Sequence, residues 1–269
     1  MKNYLFGAIA GDIAGGFYEC KFCRTKDINK VQLIKTGDSF SDDTVCTLGI
    51  ADALIKYKHP TMEQFRDCLQ EWCQKYPNRG YGGKFKDWIL NPVPYGSYGN
   101  GSAMRVSPVG YFADSVGDCL HLAELSAECS HNHPEGIKGA QAIALCIYYA
   151  LNSRTPRAKI LEVLRLEYPA YATKKLDDIR PTYKFTSTCE GSVPIAILAF
   201  LESHDYEECL KLAISMGGDS DTIAAMAGSI AYAFYGKMDE ALEDHVIENL
   251  PEEALALSRK FDRLINHEK

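Results

Sequence analysis

Two short stretches carry the residue types from which a divalent-cation site can be built. Gly217-Gly218-Asp219-Ser220-Asp221-Thr222 places two aspartates at i and i+2, with a hydroxyl beside the second. Ser41-Asp42-Asp43-Thr44 repeats the idea after the turn-like lead-in Gly37-Asp38-Ser39-Phe40. Hard ions such as Mg²⁺ and Mn²⁺ prefer carboxylate, hydroxyl and water oxygens. A carboxylate is costly to bury unless something positive meets it. Yet each stretch runs straight into an apolar segment: Ile223–Ala231 behind the first, and Val45, Leu48, Ala51 and Ile55 behind the second. A helix N-terminus relieves part of that cost through its free N–H groups and dipole, and a cation relieves more. Asp and Ser are also ordinary helix caps, so two unrelated caps are the plain alternative. If the four carboxylates converge they repel, and protons or cations must join them. Convergence therefore implies metal, and two ions.

The elements that must position these turns read as helices. Residues 3–19 show Leu5, Ile9, Ile13 and Phe17 at helical spacing, and Gly7, Gly11 and Gly15 fall four apart as a smooth strip for a close neighbour. Asp12 and Glu19 are seven apart and share a face, so Glu19 can add a fifth carboxylate; a solvated helix-end glutamate is the alternative. Further helices are expected at 44–58, 61–76, 118–129, 137–151 and 156–167, with Pro194 opening a buried one and Asp205 opening the one that delivers Gly217. Two charged amphipathic helices at 238–249 and 252–266 read as a peripheral cover. Residues 21–40 and 77–101 read as loops, the latter long and rich in glycine and proline. No segment alternates as a strand does, so the chain reads as all-α, with no linker between two domains.

Two other motifs could meet a substrate. Gly99-Asn100-Gly101-Ser102 enters a helix with bare backbone N–H groups, which suits a phosphate, though a glycine turn with a cap has the same composition. Neither the Walker A nor the dinucleotide fingerprint is present. In Ser130-His131-Asn132-His133-Pro134, either histidine can donate to a substrate or cap the next helix.

Composition narrows the class. At 269 residues the chain suits one large core, and 46% hydrophobic with 24% charged residues is ordinary for a globular protein. A net charge of −7 argues against a stable nucleic-acid partner or an anionic membrane surface. No apolar run is long enough to span a bilayer, and the N-terminal stretch lacks a signal-peptide core, so a cytoplasmic monomer is expected. Of the ten cysteines, only Cys20 and Cys23 form a C-x-x-C, and no second pair completes a zinc site. Reduced thiols follow from that setting.

Taken together, Gly7–Glu19 (GAIAGDIAGGFYE), Ser41–Thr44 (SDDT), Gly99–Pro108 (GNGSAMRVSP), Ser130–Gly136 (SHNHPEG) and Gly217–Thr222 (GGDSDT) resemble the ADP-ribosylglycohydrolase family, which includes the dinitrogenase-reductase-activating glycohydrolases. They occur in the family's order over about residues 7–235. The resemblance implies one domain over 1–269, a compact orthogonal helical bundle with a central cleft holding two Mg²⁺ or Mn²⁺ ions. It maps metal ligands onto Ser41, Asp42, Asp43, Asp219, Asp221 and Thr222, with Glu19 in or beside them. The first acidic motif often begins with threonine; Ser41 keeps the hydroxyl. It also implies contacts to ADP-ribose from Asn100, Gly101, Ser102, Met104 and His131.

The expected reaction is hydrolysis of the bond between ADP-ribose and an acceptor, through an oxocarbenium-like state. Glu19, Asp43 and Asp219 are the candidate catalytic residues, with metal-lowered water pKa and a carboxylate as proton acceptor. A di-metal phosphoesterase or deacetylase on a related nucleotide would use the same carboxylates. A non-catalytic ADP-ribose-binding protein is the third reading, and intact acidic pairs count against it.

Overall fold

The small-residue run near the N-terminus folds as a helix, α1 (Phe6–Glu19). The computed structural model describes residues 3–268; Met1, Lys2 and Lys269, the ends of the expected 1–269 domain, lie outside the described residues. Local side-chain chemistry starts the following helices. Ser41 caps α2 (Asp42–Tyr57), its hydroxyl accepting from the Asp43 amide at 3.1 Å. Thr61 and Gln64 form a capping box at the start of α3 (Met62–Lys75). Next come α4 (Gly83–Leu90), the single turn α5 (Gly101–Met104) and α6 (Ser107–Phe112).

Ser115 caps α7 (Val116–Glu128), and His133 caps α8 (Pro134–Asn152). Then follow α9 (Pro156–Glu167), the short α10 (Leu176–Ile179) and α11 (Cys189–Glu202). Asp205 caps α12 (Tyr206–Ile214), which delivers the chain to α13 (Ser220–Tyr235). Two peripheral helices, α14 (Glu240–Asn249) and α15 (Glu252–Glu268), close the fold. Among the described residues there is no strand, only one bridge between Gly99 and Thr188. The architecture is the all-α single-domain bundle expected.

Two expectations are corrected. The segment 77–101 is not structureless: α4 forms inside it and buries Phe85, Trp88 and Ile89, with the Trp88 indole donating to the Cys129 carbonyl at 2.7 Å. The glycines on either side of Tyr81 hid that apolar face. Pro194 does not open its helix either. Thr188 accepts from the Gly191 amide and starts α11 at Cys189, leaving Pro194 inside. An internal proline forgoes one helical hydrogen bond; here burial of the whole run Val193–Phe200 offsets the loss.

The core is organised on α13, in which every residue from Ser220 to Ala233 is buried. A helix apolar on all sides must be surrounded, and α1, α8, α11 and α12 all pack on it. Its closest neighbour is α1. A methyl group added at Gly11 would lie 2.2 Å from the Ala224 carbonyl oxygen, and one at Gly15 would lie 2.5 Å from the Asp221 Cα. The glycine strip therefore lets two helix backbones touch, which no larger residue allows.

All ten cysteines are free thiols, buried except for Cys20 and Cys23, as a reduced chain requires. No described helix is long and apolar enough to cross a membrane.

Two glycine substitutions should move stability in opposite directions. Gly11→Ala forces a methyl into backbone and should cost about 3 kcal/mol or more. Gly117→Ala, on the exposed first turn of α7 with space around it, should add about 0.5–1 kcal/mol by restricting the unfolded chain. Urea unfolding of both variants checks this; equal effects would mean that the α1–α13 contact is looser than described.

Candidate metal centre and substrate cleft

The N-termini of α2 and α13 face each other, and the C-terminal half of α1 lies across both. Gly217 makes the turn into α13 with φ of +68°, a conformation that favours glycine. The turn leaves Asp219 as the N-cap residue and Asp221 in the first helical turn. A carboxylate there meets free amides and the positive end of the dipole, and Asp221 Oδ1 accepts from the Thr222 amide at 2.8 Å. Opposite, Asp43 Oδ2 accepts from the Thr222 hydroxyl at 3.1 Å and from the Ser41 hydroxyl at 3.4 Å. The two acidic turns therefore converge, and are not two unrelated caps.

Asp12 ties α1 to this group. It is fully buried, and its Oδ2 accepts from the Ser41 amide (2.9 Å), the Thr44 amide (3.1 Å) and the Thr44 hydroxyl (2.5 Å). Its Oδ1 has no hydrogen-bond partner, and neither does Asp43 Oδ1. Carboxylate oxygens left bare at zero exposure are expensive. Asp12, Asp43 and Asp221 each bring an oxygen within 4.8 Å of the others; Glu19, Asp219 and Asp221 form a second such group. Asp221 belongs to both. Two acidic clusters able to hold cations thus share one aspartate, and the donor set is entirely oxygen, which suits hard ions.

Without cations these carboxyls resist ionisation. Burial first, and Asp221 second, hold Asp43 well above the usual carboxylate range; burial and then Asp219 do the same to Asp221. Asp42, nearer the mouth, is pushed up to about 7 by desolvation and then by Asp12. Asp12 and Asp219 are raised by burial, partly opposed by their hydrogen-bond donors, Thr44 and Asn100 foremost. Glu19 is raised by desolvation and by Asp219.

These acids floor a cleft of about 420 Å³, ample for a small ligand. One wall is the glycine loop. Asn100 donates to Asp219 Oδ2 at 2.7 Å and to the Ser192 hydroxyl at 3.0 Å, linking loop to floor. Gly101 lies beneath the His131 imidazole, where an added methyl would sit 2.9 Å from Nε2. Met104 also lines the cleft, its sulfur 3.9 Å from the Thr222 hydroxyl. Ser102 does not reach it: its hydroxyl donates to the Gly136 carbonyl at 2.7 Å, and the side chain packs inside.

The two histidines separate. His133 Nδ1 accepts from the Glu135 amide and caps α8. His131 is buried at the cleft wall, with Nδ1 2.7 Å from the Ser130 hydroxyl. That hydroxyl also receives a hydrogen bond from Arg105, a fully buried guanidinium with no carboxylate within 4.0 Å among the described residues. Arginine can only donate. Ser130 therefore accepts from Arg105, and its own proton can point to His131 Nδ1, an arrangement that would leave the imidazole proton on Nε2. Burial, then the Arg105 charge, hold His131 well below its ordinary range. Its Nε2 edge faces the glycine loop at Gly101.

Sequence reasoning missed Asp12 as a member of the floor and Arg105 altogether. The signal for Asp12 was a lone acid in the apolar run of α1, seven residues before Glu19. Arg105, alone in an apolar stretch, carried a similar signal.

Fold and site define a helical protein with an acid-floored, cation-ready cleft walled by a glycine loop. The model of the ADP-ribosylglycohydrolase family matches residues 1–268, and the chain belongs to that family. It is 29% identical to "ADP-ribosylhydrolase ARH3" of Homo sapiens, over 90% of this chain and 87% of that one. Against "ADP-ribosylarginine hydrolase Tri1" of Serratia proteamaculans the identity is 23%, over 97% and 80%. A solved structure described as "ADP-ribosylglycohydrolase-related protein complex" superposes with a TM-score of 0.74 at 22% identity, covering 98% of this chain and 96% of that one. That likeness shows the fold.

A carboxyl with a raised pKa binds its proton more tightly in the folded chain than in the unfolded one. Its contribution to folding is present at low pH and lost as pH rises through the raised value. Metal-free protein should therefore lose stability from about pH 4 upward, through the range where Asp42 deprotonates. Added Mg²⁺ or Mn²⁺ should raise Tm more at about pH 8 than at about pH 5. Asp221→Asn should raise the metal-free Tm at the higher pH and remove most of the metal-induced rise. A metal response independent of pH would contradict the site. Separately, ¹⁵N NMR should find His131 still neutral where an ordinary histidine is already protonated, with its proton on Nε2, and Ser130→Ala should admit the other tautomer.

Proposed function

We propose that the protein hydrolyses the glycosidic bond between ADP-ribose and an acceptor, releasing ADP-ribose. The observation that carries this reading is the meeting, in one cleft, of two carboxylate clusters with a glycine loop and a buried histidine. Membership of the family supports the ADP-ribosyl part, as do the names of the human and Serratia relatives.

Two Mg²⁺ or Mn²⁺ ions fit the donor set. Asp12, Asp43 and Asp221 would hold one, and Glu19, Asp219 and Asp221 the other, with Ser41, Asp42 and Thr222 beside them. The bare Oδ1 atoms of Asp12 and Asp43 support that fit. When bound, such ions orient ribose hydroxyls and lower the pKa of water.

The chain's own residues account for the remainder. Cleavage at the anomeric carbon develops positive charge on the ring, and a floor of carboxylates favours it. Glu19 is exposed at the mouth with a raised pKa, placed to take a proton from the attacking water. The water oxygen bonds to the anomeric carbon as the bond to the acceptor breaks, and the acceptor leaves with a proton. Asn100 fixes Asp219 from the loop side, so substrate binding and floor geometry are mechanically joined. His131 Nε2–H donates to a substrate oxygen over Gly101, and the Gly101 and Ser102 amides meet the diphosphate, those of Gly99 and Asn100 being bonded to Ser97 and Ser187.

Release of ADP-ribose from ADP-ribosylated arginine, serine and nucleobase acceptors, in Mg²⁺ and in chelator, tests the reading. Release from at least one acceptor should stop with chelator. Glu19→Gln should lower kcat by about 10²–10⁴-fold with unchanged circular dichroism. A folded Asp219→Ala variant with full turnover would sink the mechanism.

A further inference from the structure

The rim of the cleft carries charge opposite to its floor. Glu19 is followed at once by Lys21, Phe22, Arg24 and Lys26. This segment meets the 180–185 segment at the mouth: Lys26 Nζ donates to the carbonyls of Arg180 and Tyr183, the latter at 2.7 Å. Arg24 lies 4.8 Å from the Phe185 ring centroid and donates to the Glu19 carbonyl at 3.0 Å. Phe185 lines the cleft, and Lys84 lines it from the first turn of α4. Lys21, Arg24, Lys26, Lys84 and Lys184 have no carboxylate within 4.0 Å among the described residues.

The imbalance is local. Residues 21–35 hold five basic side chains and one acidic, and residues 174–185 hold four and two, in a chain whose net charge is −7. A whole-chain charge therefore misrepresents this face. ADP-ribose itself brings only a diphosphate, for which the glycine loop already offers amides. Lys26 is held by its two carbonyls, which leaves Lys21, Arg24, Lys84 and Lys184, four cations without a carboxylate and more than that ligand uses.

The rim is also aromatic. Phe22 is 92% exposed and Phe185 44% exposed, where large apolar rings are normally covered. Cations interleaved with open aromatic faces suit a ligand that alternates phosphates with flat bases. An acidic peptide would satisfy the lysines and leave both rings in water.

We propose that the acceptor freed of ADP-ribose is a single-stranded nucleic acid, held along Lys21–Lys26 and Lys184–Phe185. Its phosphates pair with Lys21, Lys84, Lys184 and Arg24, and a base stacks on Phe22. This assignment of the acceptor rests on the glycohydrolase reading of the cleft; the binding surface itself does not.

The test uses the full chain and a labelled single-stranded 20-mer in fluorescence anisotropy. Binding should weaken about 50-fold between about 50 and 200 mM salt, as for roughly four neutralised phosphates. Lys21→Glu with Lys184→Glu should weaken it at least tenfold, and Phe22→Ala about tenfold. In parallel, ADP-ribose release is measured from an ADP-ribosylated oligonucleotide and from a small ADP-ribosylated arginine. The rim variants should lose the first and keep the second. Absent binding, binding indifferent to all three substitutions, or equal competition by polyglutamate with no effect of Phe22→Ala would overturn the proposal. Rim-dependent binding without release from either substrate would instead overturn the glycohydrolase reading and leave the surface standing.

Discussion

The floor of the cleft depends on how closely two helix backbones touch. Carboxylates from three helices can share a cation only if their Cα atoms are a few ångströms from the common point, because an aspartate side chain is short. Gly11 against Ala224 and Gly15 against Asp221 let α1 lie directly on α13. One residue from that contact, Asp12 turns toward α2; one turn beyond it, Glu19 reaches the mouth. Larger residues in the strip would separate the axes and leave Asp12 and Glu19 in different places. The glycines lower the intrinsic helix stability of α1, and burial against a fully enclosed α13 more than offsets it.

Closeness creates the electrostatic problem that the local structure then divides. Part of the negative charge is met by amides at the starts of α2 and α13, and part by the Thr44 and Asn100 donors. What remains concentrates on the two bare Oδ1 atoms and on Asp221, which belongs to both clusters. Protons or cations must make up the difference, and pH decides between them. The same network rigidifies the floor, since the Ser41 and Thr222 hydroxyls both donate to Asp43 Oδ2.

How much of this was legible in the sequence follows the range of each signal. The acidic turns are local: a hydroxyl, two aspartates and an apolar helix stand within ten residues, whereas their convergence could only be set against the alternative of two unrelated caps. The glycine strip was readable for the same reason. Asp12 was not, since its partners, Ser41 and Thr44, lie about thirty residues away and only packing joins them. His131 and His133 looked alike until α8 took one as its cap and Arg105, through Ser130, took the other. Ser102 sat inside a glycine motif, but helical geometry turned it toward Gly136. Pro194 and α4 failed through strong local punctuation, proline and glycine, overridden by burial of Val193–Phe200 and of Phe85, Trp88 and Ile89.

Charge shows the same limit at a larger scale. A sum over the chain says how the protein repels or attracts at distances beyond a Debye length, about 8–10 Å at physiological salt. Within that distance only the nearby groups count. The cleft has two zones at this range: carboxylates at its floor, which select cations, and unpaired lysines with Arg24 at its rim, which select anions. A substrate with a polyhydroxyl ribose to place on the floor and phosphates to place above satisfies both at once. Neither zone would tolerate the other's ligand, so the pair fixes which end of such a substrate enters first. For the proposed ADP-ribosyl substrate, orientation would be set by the separation of charges along one axis, before any single hydrogen bond forms.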